Sequence, residues 1–300
     1  MDKSFLVLFF KKEHSYFGFL EMPIASRLAL ALLLPALLVN LAVFLLPMGN
    51  LALLSFRTAS AGGALLEGFT FATWLKMFGD SFYAELVLDS VAIALSITAL
   101  TLVCAYPIAL FIHRAPDRWK NLLVVACVSP LLVSAVVRTY GWMVILGDGG
   151  IVAALLRGLG MAKAPRMVFN TTGVVVGLVE ILMPYMILAL IAGFGRLSAS
   201  LEEAAASLGA RPFTVFRRVV LPLTLPGIML GCLLAFVLAV SSFITPKLLG
   251  GGRVFLLATE IYDQAIVTLN WPVAAALSIV VLVIFGIALM LYGRLARAIA

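Results

Sequence analysis

Long apolar runs, separated by short polar or basic stretches, set the pattern of this chain. A hydrocarbon core about 30 Å thick requires about 20 apolar residues in helical form, because a lone strand or loop would leave backbone polar groups unpaired in lipid. The pattern predicts an all-α membrane protein with six transmembrane helices in one domain over 27–297, after a short tail over 1–26. The six runs lie at approximately 28–48, 88–112, 122–146, 172–194, 223–244 and 273–292.

Composition excludes an ordinary soluble protein. Hydrophobic residues make up 64% of the 300 residues and charged residues 12%, whereas a soluble domain is about half apolar and about a quarter charged. A soluble fold could not bury this much apolar surface. Five of the runs carry a proline, which a helix bundle tolerates when neighbouring helices pair the freed carbonyls. These prolines are Pro35, Pro107, Pro130, Pro184 and Pro226.

The basic residues near the ends of the runs predict the orientation. Cytoplasmic loops collect Lys and Arg, and an even number of spans places both termini on one side. The tail, the second and fourth connections and the C-terminus hold thirteen Lys and Arg, against seven in the other connections. Both termini are therefore predicted to be cytoplasmic. The net charge of +7 follows from this topology, since no continuous basic stripe with interleaved aromatics indicates nucleic-acid binding.

The start of the chain does not resemble a cleaved leader. The apolar run at 5–10 is followed by Lys11 and Lys12, which reverses the charge order of a signal peptide. The tail over 1–26 is therefore interpreted as a retained cytoplasmic segment.

No motif in the sequence indicates catalysis or a bound cofactor. The glycine run at 250–252 lacks the lysine and hydroxyl that hold phosphate and magnesium in a nucleotide-binding loop. His14 and His113 have no Cys or acidic neighbours at metal-ligand spacing. A membrane enzyme would need such a cluster. The chain is predicted to bind no cofactor or metal and to hydrolyse no ATP itself.

The 198–222 segment, which reads SASLEEAAASLGARPFTVFRRVVLP, lies between the fourth and fifth runs on the predicted cytoplasmic side. Ser200 and Glu203 have the spacing of a capping box at the start of a short helix. Gly209 favours the left-handed turn that ends a helix, and Pro212 suits the first turn of a second helix. The segment therefore predicts two short helices joined at a glycine, with a proline-rich entry into the fifth span.

This segment resembles the cytoplasmic signature of the permeases of bacterial binding-protein-dependent ABC importers. The signature is Glu-Ala-Ala, three residues, Gly, nine residues, an aliphatic residue, any residue, Leu and Pro. The matching positions are Glu203, Ala204, Ala205, Gly209, Val219, Leu221 and Pro222. In that family the element docks on the ATPase, so the resemblance implies a coupling role here, with Arg211 and Phe213 in the contact. The alternative is a plain interfacial helical hairpin.

The resemblance implies a type I importer (MetI-like) permease fold in the bacterial inner membrane, surrounded by lipid. It also implies three kinds of partner: a second, similar permease in a heterodimer, two ATP-binding subunits that use ATP and Mg, and an extracytoplasmic solute-binding protein. A secondary transporter driven by an ion gradient is the rival interpretation. It would require paired acids at mid-membrane and inverted repeats, and neither is clear in the sequence.

Three further stretches resemble the first permease of spermidine/putrescine importers. They are 106–114, 130–141 and 271–276. Relatives that import opines, gamma-aminobutyrate, aminophosphonates or ferric ions share much of the same likeness, so the substrate remains open between a polyamine and these solutes.

Charged residues within the runs are the candidates for a substrate path, because a charge at mid-span costs about 2.5–3.5 kcal/mol on insertion scales and normally faces a bundle interior or water. Asp89, Arg138 and Glu180 are such residues. Glu180 could contact a cationic amine, with the aromatic rings of Tyr140 and Tyr185 as further path candidates. The alternatives are an ion pair of Glu180 with Arg138 that only fixes helix packing, and a solvated Asp89.

Overall fold

The computed structural model describes residues 24–60, 63–66, 68–160 and 165–299, so the predicted tail over 1–26 lies outside the described residues except for its last three positions. The described part is helical, and its β structure is an isolated bridge between Ala59 and Leu65. The α-helices are α1 Ile24–Ser55, α2 Ala72–Gly79, α3 Ser81–Arg114, α4 Asp117–Val128, α5 Ala135–Leu146, α6 Ile151–Gly158, α7 Thr171–Gly193, α8 Ala199–Ser207, α9 Pro212–Val215, α10 Leu221–Ser241, α11 Ile244–Leu249, α12 Leu257–Tyr262 and α13 Trp271–Ile299.

Six helical stretches of the described part are long and apolar enough to cross a membrane. This confirms the predicted all-α fold with six spans. The helices extend beyond the apolar runs: α3 has 34 residues, which makes it about 50 Å long at 1.5 Å per residue. The six stretches are Leu32–Ser55, Ser81–Arg114, Ala135–Gly158, Thr171–Gly193, Pro212–Ser241 and Trp271–Ala298.

The third span differs from its prediction, because the run at 122–146 is not one continuous helix. A 3-10 turn over Ser129–Leu132 separates α4 from α5. Pro130 has no backbone N–H with which to continue the α-helical hydrogen bonds, and the chain becomes extended at Val133 and Ser134. Ser134 then begins a new helix, and its hydroxyl accepts a hydrogen bond from the Val136 N–H at 3.3 Å. Apolar periodicity cannot show this interruption, because the residues around it remain apolar.

Helix α1 is an apolar helix with two internal prolines, Pro35 and Pro47. Its polar side chain at mid-helix is satisfied within the helix, since the Asn40 amide donates to the Ala36 carbonyl at 2.8 Å. A membrane helix requires this internal pairing because lipid offers no hydrogen-bond partner.

The core of the remaining chain is a bundle of α3, α7 and α10, which pack against one another. Glycines allow close approach: a Cβ on Gly193 would overlap the backbone of Gly227, and a Cβ on Gly231 would overlap the Met186 sulfur. Small residues permit such contacts between membrane helices. One buried cluster lies at the end of the bundle that carries the 198–222 segment. It contains Ala105, Ala109, Ile112, Met186, Ile187, Leu190, Phe194 and Ala235.

Candidate functional site

The first helix of the 198–222 segment is α8, and its start differs from the prediction. The helix begins at Ala199 with Ser198 in the N-cap position, and no side chain caps it. The predicted capping box of Ser200 and Glu203 is therefore wrong. Ser200 lies inside the first turn, and its hydroxyl pairs with the Ser198 hydroxyl at 2.9 Å.

The end of α8 follows the prediction. Gly209 has φ +82°, a conformation that glycine adopts without steric cost. Its N–H donates to the Ala206 carbonyl at 2.9 Å, and the Ala210 N–H donates to the Ala205 carbonyl at 3.2 Å. These two bonds form a Schellman motif, which satisfies carbonyls at the helix end. The glycine turn thus fixes the direction in which the chain leaves α8.

The second helix of the segment starts at Pro212 as predicted, but it is not separate from the fifth span. A π-helical turn over Phe216–Val220 joins α9 directly to α10. The Leu221 N–H donates to the Phe216 carbonyl, five residues back. Pro222 has no N–H, so the change of hydrogen-bond register occurs where no donor is left unpaired.

The outer face of the segment combines charge with exposed apolar side chains. Glu203 is exposed, while Leu208 is 90% and Phe213 73% exposed. Both apolar side chains are therefore available for contact with another protein surface. Four of the other expected coupling residues are also exposed, namely Ala204, Gly209, Arg211 and Pro222. The remaining two, Ala205 and Leu221, are half-buried.

The inner side of α8 faces an open cleft that an ion pair crosses. The cleft has a volume of about 400 Å³, and Arg114 and Glu202 belong to its lining together with Ala206, Val215 and Phe216. The Arg114 guanidinium donates to the Glu202 carboxylate at 2.6 Å. Glu203 also belongs to the lining of this cleft, but the carboxylate that pairs with Arg114 is that of Glu202.

Two aromatic side chains of α3 hold the ends of the segment. The Tyr106 hydroxyl and the Thr224 hydroxyl are 3.0 Å apart, and the Tyr106 ring meets the Phe216 ring edge-on at 5.9 Å. At the other end, the His113 ring lies 3.2 Å from the Leu197 carbonyl. Helix α3 therefore contacts the chain both before and after α8.

A second cluster of polar groups lies within the spans, on α5 and α7. The Arg138 guanidinium is 3.4 Å from one oxygen of the Glu180 carboxylate, and the Trp142 indole N–H donates to the other at 3.2 Å. The ion pair, one of the two alternatives predicted for these residues, is thus present. The Glu180 side chain nevertheless remains 31% exposed, against 11% for Arg138.

The other path candidates lie apart from this pair. Asp89 is exposed on α3, beside the buried Ser90. Tyr140 is 53% and Tyr185 38% exposed. Among the described residues, no hydrogen bond or ion pair joins these three side chains to Arg138 or Glu180.

Two residues of these sites do not stand out in the sequence. Trp142 follows Arg138 by four residues, so helical spacing places both on one face of α5 and could have identified it. Glu202 precedes the motif glutamate and its partner Arg114 is 88 residues away, so no local pattern could reveal their pairing. Among the described residues, no group of three or more His, Cys, Asp or Glu side chains could hold a metal ion.

Comparison of the sequence with known proteins identifies a matching family and similar permeases. A model of the family described as binding-protein-dependent transport system inner membrane component matches residues 105–300. The chain is 33% identical over 262 residues to the spermidine/putrescine transport system permease protein PotB of Haemophilus influenzae, covering 86% of this chain and 91% of that protein. It is 34% identical over 244 residues to PotB of Escherichia coli, covering 81% and 88%.

The fold also matches a solved structure. The crystal structure of a bacterial alginate ABC transporter, in complex with alginate pentasaccharide-bound periplasmic protein, has a chain that superposes with a TM-score of 0.70. The alignment covers 92% of this chain and 96% of that chain at 16% sequence identity. This likeness confirms the predicted permease fold.

Proposed function

Since the chain belongs to the family of binding-protein-dependent transport system inner membrane components, and is thus a permease subunit of an ABC importer, we propose that it imports a polyamine such as spermidine or putrescine. ATP hydrolysis in this family belongs to separate subunits, so the chain is not itself an enzyme. The observation that carries the polyamine assignment is the partly exposed Glu180 carboxylate within a span, in a chain that is one-third identical to PotB.

Glu180 has the capacity to bind an amine in addition to its present partners. A carboxylate offers about four acceptor positions, and Arg138 and Trp142 occupy one on each oxygen. Arg138 also offsets the cost of keeping the carboxylate charged inside the membrane. A primary or secondary ammonium group can therefore join the exposed side of Glu180 without displacing the arginine, with Asp89, Tyr140 and Tyr185 lining other parts of the path.

The 198–222 segment is the contact with the ATPase in this proposal. Glu203, Ala204, Arg211 and Phe213 lie on its exposed face. The alanines allow close approach of another backbone, and the phenyl ring is an apolar anchor of the kind that dominates protein interfaces. The Schellman turn at Gly209 keeps α8 and α9 in one fixed angle, so the segment can move as a unit when the ATPase closes.

The assembly has further subunits. Two ATPase subunits require two docking elements, and this chain supplies one, so we expect a heterodimer with a second, similar permease. ATP and Mg are used by the ATPase subunits, and a solute-binding protein delivers the polyamine from outside. We expect both termini to lie in the cytoplasm, because the tail, the second and fourth connections and the C-terminus hold more Lys and Arg than the other connections.

Uptake by the purified complex in proteoliposomes tests the substrate. The vesicles contain ATP and Mg, and the binding protein and labelled spermidine are added outside. We expect accumulation that unlabelled putrescine reduces and that gamma-aminobutyrate, an opine or ferric ion does not. Accumulation of one of those solutes in place of spermidine would overturn the polyamine assignment while leaving the importer class intact.

A further inference from the structure

The structure assigns a positioning role to Arg114 and Glu202. Neither residue is part of the cytoplasmic signature that runs from Glu203 to Pro222. We propose that their ion pair is the strut through which movement of α8 is transmitted to α3. The inference rests on the proposed contact between α8 and the ATPase. It adds a specific path by which that contact reaches the spans.

The strut crosses open space. The pair belongs to the lining of two cavities, of about 400 Å³ and about 440 Å³. Helix α8 packs on α9 and on the π-helical turn, but its side toward α3 is separated from the bundle by these cavities. Within the described residues, the Arg114–Glu202 bond is the one ion pair made by α8. The ion pair therefore links α8 itself directly to α3, whereas Tyr106 and His113 of α3 contact the chain on either side of α8.

Each partner of the ion pair lies at a helix end whose dipole favours its charge. Arg114 is in the last turn of α3, where the negative end of the helix dipole favours a cation, and Glu202 is in the first turn of α8, where the positive end favours an anion. The donor–acceptor distance of 2.6 Å is that of a direct charge-assisted bond, between a half-exposed Arg114 and a Glu202 that is 23% exposed. The pair thus joins two oppositely charged helix ends.

Helix α3 is suited to carry the movement further. It runs continuously from Ser81 to Arg114 and is in the bundle with α7 and α10. At its far end, the Ser90 hydroxyl accepts a hydrogen bond from the Leu257 N–H at 2.9 Å. A displacement applied at Arg114 therefore reaches α12, on the opposite side of the predicted membrane, through one helix.

Glu202 and Glu203 both line these cavities but differ in exposure and in ion pairing, which supports two separate roles. Glu203 is exposed and makes no salt bridge among the described residues, so it is free to meet the ATPase. Glu202 is only 23% exposed and is held by Arg114. Substitution of Glu203 should break the ATPase contact, whereas substitution of Glu202 should preserve the contact and weaken transmission.

Charge reversal in the assembled complex tests the strut. Arg114→Glu, Glu202→Arg and the double swap are each purified with the partner subunits, and ATP hydrolysis and solute uptake are measured in the same vesicles. We expect each single variant to retain the ATPase but to hydrolyse about fivefold more ATP per solute imported, as loss of an exposed ion pair implies (about 1 kcal/mol at 1.4 kcal/mol per tenfold). The double swap should bring the ratio back toward the wild-type value, and the reversed charges at the two helix ends should keep the recovery incomplete.

A second measurement is independent of substrate and ATPase. A nitroxide is attached through Leu208→Cys, at the exposed end of α8, after Cys104, Cys127 and Cys232 are replaced by Ser. The single variants should increase the mobility of the label, and the double swap should bring it back toward the wild-type value.

The outcomes separate the strut from the proposed function. Unchanged ATP-to-solute ratio and unchanged label mobility in Arg114→Glu would overturn the strut. Absence of spermidine uptake by the wild-type complex, with increased mobility in the single variants, would overturn the polyamine assignment and leave the strut supported. Failure of the double swap to bring either value back toward that of the wild type would show that the residues act separately.

Discussion

Gly193 and Gly227 bring the backbones of α7 and α10 into direct contact, and they do so immediately before and shortly after the 198–222 segment. A Cβ atom at either position would overlap the backbone of the other helix. The two ends of the segment are therefore held together at the base of the bundle, and α8 and α9 project from a fixed point.

This contact predicts a steric effect of a single methyl group. Gly193→Ala forces the two backbones apart and should destabilise the chain by about 1–3 kcal/mol, as overpacking does in other cores. Thermal unfolding of the purified protein in detergent measures this loss. Gly286→Ala in α13 is the matched control, because a Cβ there meets nothing within 4 Å, and its stability should equal or slightly exceed that of the wild type. Equal midpoints for both variants would contradict the close contact.

Substitution of Gly209 should act through the backbone conformation and not through a steric clash. A Cβ at Gly209 meets nothing within 4 Å, but φ is +82°, and a left-handed conformation costs a non-glycine residue about 1–2 kcal/mol. Gly209→Ala should therefore weaken ATPase binding about fivefold or more by altering the angle between α8 and α9. Gly195→Ala is the control, since its Cβ also meets open space and its φ is ordinary. An affinity titration of the ATPase against both variants makes the comparison.

Glu180 predicts different outcomes for stability and for transport. Glu180→Leu leaves the Arg138 guanidinium, which is 11% exposed, without its carboxylate, and an unpaired charge of this kind is costly. Combining Arg138→Met with Glu180→Leu removes both charges and should restore the unfolding midpoint, since apolar replacements of ion pairs are often neutral. Uptake of a cationic substrate should stay low in the double variant. Recovery of uptake together with stability would show that the pair only fixes helix packing.

Much of the fold follows from apolar run length, because lipid admits few alternatives to a helix of about 20 residues. The six spans were predictable for this reason. The turn at Gly209 was also predictable, because a glycine there favours the left-handed conformation that ends a helix. The break after Pro130 is harder to predict from the sequence, since the residues on both sides remain apolar and the period of the pattern continues across it. The start of α8 was misplaced because Ser198 and Ser200 have equal intrinsic preference for the cap.

The sites are predictable only where their residues are close in sequence. Glu203, Ala204 and Ala205 form a contiguous motif that the sequence contains in full. The Arg138–Glu180 pair could be proposed because charges are rare in spans, but the sequence could not choose between pairing and substrate contact. The Arg114–Glu202 bond depends on how α3 and α8 meet in space, which no local pattern encodes.

Substrate-stimulated ATP hydrolysis by the reconstituted complex tests the central claim most directly, because it requires the chain to link solute arrival to the ATPase. The key variant is Glu203→Lys, and Asp117→Lys is its control, since it makes the same charge change at an exposed acid outside the 198–222 segment. We predict that spermidine with the binding protein stimulates hydrolysis in the wild type and in Asp117→Lys, and that Glu203→Lys abolishes the stimulation without loss of folding. Stimulation of the Glu203→Lys complex at the wild-type level, or a wild-type chain that binds no ATPase, would contradict the account.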